Sequence, residues 1–221
     1  PLRHPLPPFY NTPPCEVPMR FWIRPLPSIV LRFSIVLVFS LVCLAVPAWA
    51  DFQAGMDANN REDYATALRE WRPLAAQGEA LAQYHLGLLY RKGRGVPQDD
   101  VQARQWYEKA AAQGQAKAQY NLGTLYLNGS GVPKDYQQAL RWFRLAADQG
   151  EALAQTKIAI MYDEGQGVSK NFVQAYKWYS LAATHGDKPA PQLRDLLANQ
   201  MTPAQIAEAQ KLAQEWKPKG K

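Results

Sequence analysis

The chain has 221 residues, 47% hydrophobic and 20% charged, a balance that excludes an intrinsically disordered class and suffices for one or two folded domains. Its net charge of +6 arises from 25 basic and 19 acidic residues, but residues 51–221 hold 21 and 18, a net +3, with Lys217, Lys219 and Lys221 at the tail. So small a basic excess argues against a nucleic-acid partner.

Residues 1–18 are too dense in proline for any regular helix or strand, and they are expected to be unstructured and to precede the true start at Met19. From Met19 the order is that of a secretory signal peptide: Arg20, Arg24 and Arg32, the apolar run FSIVLVFSLVCLAV, then the small residues of Ala48-Trp49-Ala50. The run from 33 to 46 is shorter than the ~20 residues that span a bilayer core. Cleavage after Ala50 is therefore expected, with membrane contact only before the cut and a periplasmic or secreted product. An uncleaved anchor is the alternative. Cys43 lacks the small preceding residue of a lipidation site, and Cys15 and Cys43 are the only cysteines. Both precede the cut, so the mature chain is expected to have no disulfide, thiolate nucleophile or cysteine metal site.

Beyond residue 80 the chain repeats itself. Units 81–116, 117–152 and 153–188 align without gaps, which predicts stacked supersecondary units. In the first half of each, Ala82, Leu86, Leu89 and Tyr90 recur as Ala118, Leu122, Leu125 and Tyr126, then as Ala154, Ile158, Met161 and Tyr162, the spacing of one helix face. In the second half, Ala103, Trp106, Tyr107, Ala110 and Ala111 recur as Ala139, Trp142, Phe143, Ala146 and Ala147, then Ala175, Trp178, Tyr179, Ala182 and Ala183. Small residues beside large ones suit closely packed helices. Asp99, Asp135 and Asn171, each followed three residues later by glutamine, predict capping boxes, and Gly114, Gly150 and Gly186 predict left-handed ends.

Before the repeats, residues 51–80 form an incomplete unit: Asp63, Ala67, Ala75 and Gly78 are in register with Asp99, Ala103, Ala111 and Gly114, and DFQAGMDAN is a short partner. After them, 189–216 is expected to be a capping helix pair. Thr202 caps its last helix, and Ile206, Ala209, Ala213 and Trp216 make an apolar stripe for the end of the stack. Residues 217–221 are a basic tail.

The pattern AxxxLGxxYxxGxGVxxDxxxAxxWxxxAAxxG resembles the Sel1-like repeat family, a branch of the tetratricopeptide-like helical solenoids. The resemblance covers roughly residues 60–188. It implies an all-α fold, a right-handed α–α superhelix of stacked helix pairs whose first helices line a concave groove. Departures fall in the third unit: Thr156 replaces the tyrosine of Tyr84 and Tyr120, Ala159 the glycine of Gly87 and Gly123, and Ser169 the proline of Pro97 and Pro133.

GRGVP (93–97), GSGVP (129–133) and GQGVS (165–169) resemble phosphate loops only in their glycines, lacking both the GK[ST] ending and a preceding strand. They are predicted to be turns, with Gly93 in a left-handed conformation and Pro97 stiffening the entry to the next cap. Trp106, Trp142 and Trp178 share one register beside alanines and are assigned to interhelical core rather than to a stacking platform. His85 and His185 lie in different helices of different units with no serine or cysteine partner, and HExxH, SxxK and GxSxG are absent. No catalytic residue, metal or cofactor is expected. Cysteine-rich relatives are linked to β-lactam binding or hydrolysis, but their disulfide-stapled repeats are missing here.

One face of each first helix escapes the repeat. It carries Leu81, His85, Leu88 and Lys92; then Lys117, Asn121, Thr124 and Asn128; then Leu153, Lys157, Ile160 and Glu164. If the resemblance holds, this face lines the groove, and its mixture of apolar, polar and charged residues suits a peptide or protein segment. The expected function is a noncatalytic, exported scaffold for a partner in the cell envelope. The alternatives are a β-lactam- or cell-wall-directed hydrolase and a membrane-tethered sensor.

Overall fold

The computed structural model describes residues 47–218. The proline-dense opening with Cys15, most of the expected signal peptide with Cys43, and residues 219–221 lie outside the described residues. Ten α-helices and no strand are found among the described residues: α1 (Pro47–Asn60), α2 (Tyr64–Ala76), α3 (Ala80–Lys92), α4 (Asp100–Ala112), α5 (Ala116–Asn128), α6 (Tyr136–Asp148), α7 (Ala152–Glu164), α8 (Phe172–Thr184), α9 (Ala190–Ala198) and α10 (Pro203–Gln214). The expected cleavage point after Ala50 falls within α1. Helices α1 and α2, α3 and α4, α5 and α6, and α7 and α8 pack as pairs, and each second helix packs on the first helix of the next pair. The result is a solenoid. None of these helices is long and apolar enough to cross a membrane.

The stack buries the positions that recur. Ala82, Leu86 and Leu89 are buried in one cluster with Ala67, Leu74 and Ala75 of α2, and Ala118, Leu122 and Leu125 in another with Ala103, Ala110 and Ala111 of α4, so these recurring positions pack between units. Alanines let the backbones approach, and one ring per pair fills the remaining space: Trp71, Tyr107, Phe143 and Tyr179, each at most 2% exposed. Three of these rings, all but Tyr179, lie over glycine. A Cβ at Gly87 would stand 2.5 Å from the Tyr107 ring, and one at Gly123 would stand 2.7 Å from that of Phe143. Tyr84 and Tyr120 press on the same rings, with centroids 6.2 and 5.9 Å away. In the third unit the small Thr156 removes that second ring, and Ala159 takes the place of glycine. The Thr156 hydroxyl instead donates to the buried Asp187 carboxylate.

The repeated tryptophans sit one position before these rings. Trp178 is buried, while Trp106 and Trp142 are partly buried and pack against neighbouring hydrophobic clusters. Lys109, Arg141 and Lys177 lie over the three indoles. Trp106 and Trp142 thus seal seams between units, while Trp178 is part of the buried core.

Both ends of the helices are tied across units. At one end, Gly93, Gly129 and Gly165 leave α3, α5 and α7 at φ of 63°, 74° and 75°, as the turn reading requires. The second glycine of each loop answers a further demand, because a Cβ at Gly95, Gly131 or Gly167 would come within 2.8, 2.4 or 2.4 Å of Tyr64, Asp100 or Tyr136. Each loop therefore rests on the start of the preceding unit's second helix, and Arg104 donates to the Gly131 carbonyl at 3.3 Å.

At the other end, Gln83, Gln119 and Gln155 are buried, and their amides donate to the carbonyls of Ala75, Ala111 and Ala147 at 3.0, 3.2 and 3.1 Å. Their own oxygens meet Gln113 Nε2, Gln149 Nε2 and His185 Nδ1 at 2.8, 2.9 and 2.9 Å. His185 Nδ1 also meets the Leu181 carbonyl at 2.9 Å. With two acceptors before it, that nitrogen carries the proton. Every buried glutamine is satisfied on both sides, as burial demands.

Asp99, Asp135 and Asn171 cap α4, α6 and α8 by accepting from N–H groups of the first turn. The reciprocal half of the box is made instead at Thr202, where Gln205 accepts from the N-cap backbone. At the three repeat caps that backbone N–H is already committed to the carbonyls of Tyr90, Tyr126 and Tyr162, so the glutamines find no donor there.

The N-terminal unit is a full pair. α1 packs on α2, and Gly55 faces the Trp71 ring as Gly87 faces that of Tyr107. Its connection, 61–63, is four residues shorter than 93–99, which interrupts the repeat register without interrupting the stack. At the far end, α9 and α10 both pack on α8 rather than chiefly on each other. Ile206, Ala209, Ala213 and Trp216 belong to the hydrophobic cluster there.

Candidate protein-binding groove

Helices α3, α5 and α7 stand side by side, and a hollow of about 560 Å³ opens between them. Five of the twelve face residues converge in it: Leu88, Lys92, Lys117, Asn121 and Leu153. Leu81 lies instead in an apolar recess of about 570 Å³ with Phe52 and Leu74. Asn128, Lys157 and Ile160 line a smaller recess of about 210 Å³ near the loop end of α5 and α7.

Three face residues are used locally. His85 packs among Phe52, Trp71 and Tyr84, with ring centroids 5.7, 4.6 and 5.1 Å away. Burial, with the Lys117 charge adding to it, pushes its pKa down to about 4, so it is neutral near pH 7. Thr124 donates to the Tyr120 carbonyl of its own helix at 3.0 Å. Glu164 accepts from Gln166 where α7 ends.

The hollow also holds Tyr84, Arg91, Tyr120 and Glu151, which the face pattern leaves out. Tyr84 and Tyr120 recur and so resemble packing residues, and each does press on a core ring. Arg91 is one position off the stripe, and its length carries the guanidinium across to Asn121 Oδ1 at 3.4 Å. Glu151 precedes α7 as its N-cap residue, where helical periodicity has no reach. The signal that could have found Tyr84 and Tyr120 is Thr156, the one unit in which the tyrosine is dispensable.

Electrostatically the hollow is positive. Arg91, Lys92 and Lys117 face one carboxylate, Glu151, and among the described residues none of the four is in a salt bridge. Burial raises the phenol pKa values of Tyr84 and Tyr120, with the Glu151 charge contributing to both. Tyr107 lies behind Arg91 and Tyr84. Burial raises its pKa too, and its hydroxyl is buried without a well-aligned hydrogen-bond partner among the described residues. Asn121 is 8% exposed, so its carboxamide is fixed at the floor. No group of three or more His, Cys, Asp or Glu side chains able to hold a metal occurs among the described residues.

Residues 80–115, 116–151 and 152–187 each match the Sel1 repeat. A crystal structure of a Sel1 repeat protein from Oxalobacter formigenes is 40% identical with a TM-score of 0.63, over 67% of this chain and 61% of that one. A protective antigen present in uropathogenic Escherichia coli strains, which displays an SLR fold, is 30% identical with a TM-score of 0.55, over 81% of this chain and 47% of that one. The chain thus spans less than two thirds of either relative. No curated protein matches it. Sel1 repeats generally mediate protein–protein interaction. Three tandem matches over the helix pairs that build the hollow settle the assignment: the chain belongs to the Sel1-like repeat family.

Proposed function

We propose that this protein is an exported, noncatalytic scaffold that holds a peptide or protein segment in the groove formed by α3, α5 and α7. The carrying observation is the central hollow, where uncompensated cations stand beside Leu153, 46% exposed, and Leu88. Apolar anchors flanked by directional polar groups suit a polypeptide. The inter-unit ties hold these side chains in place before the partner arrives, so little ordering is required on this side of the complex. Export is supported by the order of charge, apolar run and small residues through Ala50.

The test is crosslinking of the full-length chain in intact cells, comparing the native sequence with the double variant Lys117→Glu, Lys157→Glu. The variant should lose partner capture while keeping its helicity and Tm, because Lys117 is exposed and Lys157 only partly covered. Undiminished capture would sink the groove assignment. Mass spectrometry of the purified protein should find Asp51 at its N-terminus, whereas a longer N-terminus on membrane-bound material would favour the tethered sensor. Turnover of a chromogenic β-lactam or of peptidoglycan fragments would favour the hydrolase.

A further inference from the structure

We infer that the central hollow recognises a carboxylate of an acidic peptide segment, with Arg91 as its principal anchor. This rests on the groove being a peptide site and adds what the peptide must carry. Three cations and one carboxylate line the hollow, and no salt bridge joins them among the described residues. A partly buried guanidinium without a carboxylate is an uncommon arrangement, since arginine's fork matches a carboxylate with two parallel bonds. Arg91 is held only by neutral groups, a long 3.4 Å contact to Asn121 Oδ1 and an interaction with the Tyr107 hydroxyl, among the described residues. The buried Tyr107 hydroxyl behind it has no well-aligned hydrogen-bond partner among the described residues, so neither neighbour gives the guanidinium a carboxylate.

The surroundings set the rest of the recognition. Lys92 and Lys117 are exposed at the rim and add attraction without taking a fixed position. Leu88 and Leu153 offer apolar contact beside the charges, so the favoured segment has an apolar residue next to its acid. Glu151 on the α7 side repels a second acid, which limits the site to one carboxylate at the α3–α5 seam. Arg91 has no counterpart cation in the other units, where Leu127 and Asp163 stand in its register. The hollow therefore reads one position of a bound segment.

The test is an array of immobilised random peptides probed with the full-length chain and with Arg91→Gln, Lys117→Gln and Arg94→Gln. Arg94 lies in the outer loop over the Tyr64 ring and serves as a control for net charge. Captured peptides should be enriched in Asp or Glu beside an apolar residue, and replacing that acid by its amide should weaken capture about tenfold or more. Arg91→Gln should erase the acid preference, and Arg94→Gln should keep it. Lys117→Gln should weaken capture of acidic peptides several-fold, and it carries the test if Arg91→Gln loses helicity. Capture without acid enrichment, or enrichment that survives Arg91→Gln, would overturn the carboxylate assignment and leave the groove standing as a peptide site. If no peptide is captured, the groove reading falls and this inference with it.

Discussion

The first two units and the third solve one packing problem in two ways. In 81–116 and 117–152 a tyrosine presses a core ring down onto glycine. In 153–188 threonine and alanine take those two places, and the ring of Tyr179 still ends at 2% exposed. The difference teaches that tyrosine and glycine act as a set: the glycine is required only where the second ring leaves no room for a methyl group. The unit that gave up the tyrosine is also the one on which α9 and α10 close, and it uses the vacated position to hydrogen-bond Asp187.

The largest effect expected from this contrast is at Gly123. Gly123→Ala should lower stability by about 1–3 kcal/mol, since its Cβ falls 2.7 Å from the Phe143 ring, and thermal unfolding measures it. Adding Tyr120→Thr should recover part of that loss, whereas the reverse exchange, Ala159→Gly, should cost only about 0.5–1 kcal/mol. Strict additivity of Gly123→Ala and Tyr120→Thr would break the idea of a set.

Next in size is the glutamine ladder. Gln119→Leu takes a donor from the Ala111 carbonyl and an acceptor from the Gln149 amide, leaving them the Gly114 N–H and a long contact to the Leu145 carbonyl, and should cost about 1–3 kcal/mol, read from denaturant midpoints. A neutral outcome would mean that the ladder satisfies itself without holding units together.

His85 separates the first unit from the second, where Asn121 takes its position. Its folded pKa of about 4 lies below the usual 6.5, so as pH falls the unfolded chain takes up the proton first. The stability from a neutral His85 is fully present above about pH 6.5 and is lost as pH falls towards 4. Partial solvent access keeps the loss at about 1–2 kcal/mol. His85→Asn should flatten that part of the pH–Tm curve.

The smallest change is expected at His185, which occupies the place of Gln113 and Gln149. His185→Gln should stay within about 0.5 kcal/mol, because a glutamine amide reaches Gln155 as the equivalent residues reach theirs.

Much of the fold is legible in the sequence because the recurring residues are the buried ones and the caps are spelled out at Asp99, Asp135 and Asn171. What stayed hidden has particular causes. Gln83, Gln119 and Gln155 recur as faithfully as the leucines, but periodicity assigns polar residues to the surface, and only the neighbouring helix shows their partners. The first pair reads as incomplete in the sequence, with only a short partner before its second helix, because 61–63 is shorter than the loops that set the register. The site was half visible. Variable positions on α3, α5 and α7 point to the hollow, but Arg91 and Glu151 reach it from off the stripe and from outside a helix, and His85 is absorbed by aromatic packing.

The two sets of inter-unit ties also have a mechanical meaning. Glycine loops clasp the stack at one end of the helices and the glutamine ladder clasps it at the other, like the two flanges of a beam. Opening the groove would slide one line against its neighbour, and closing it would slide the other. Curvature is therefore a stiff coordinate of this molecule, and a partner must match the spacing between α3, α5 and α7 as it finds it.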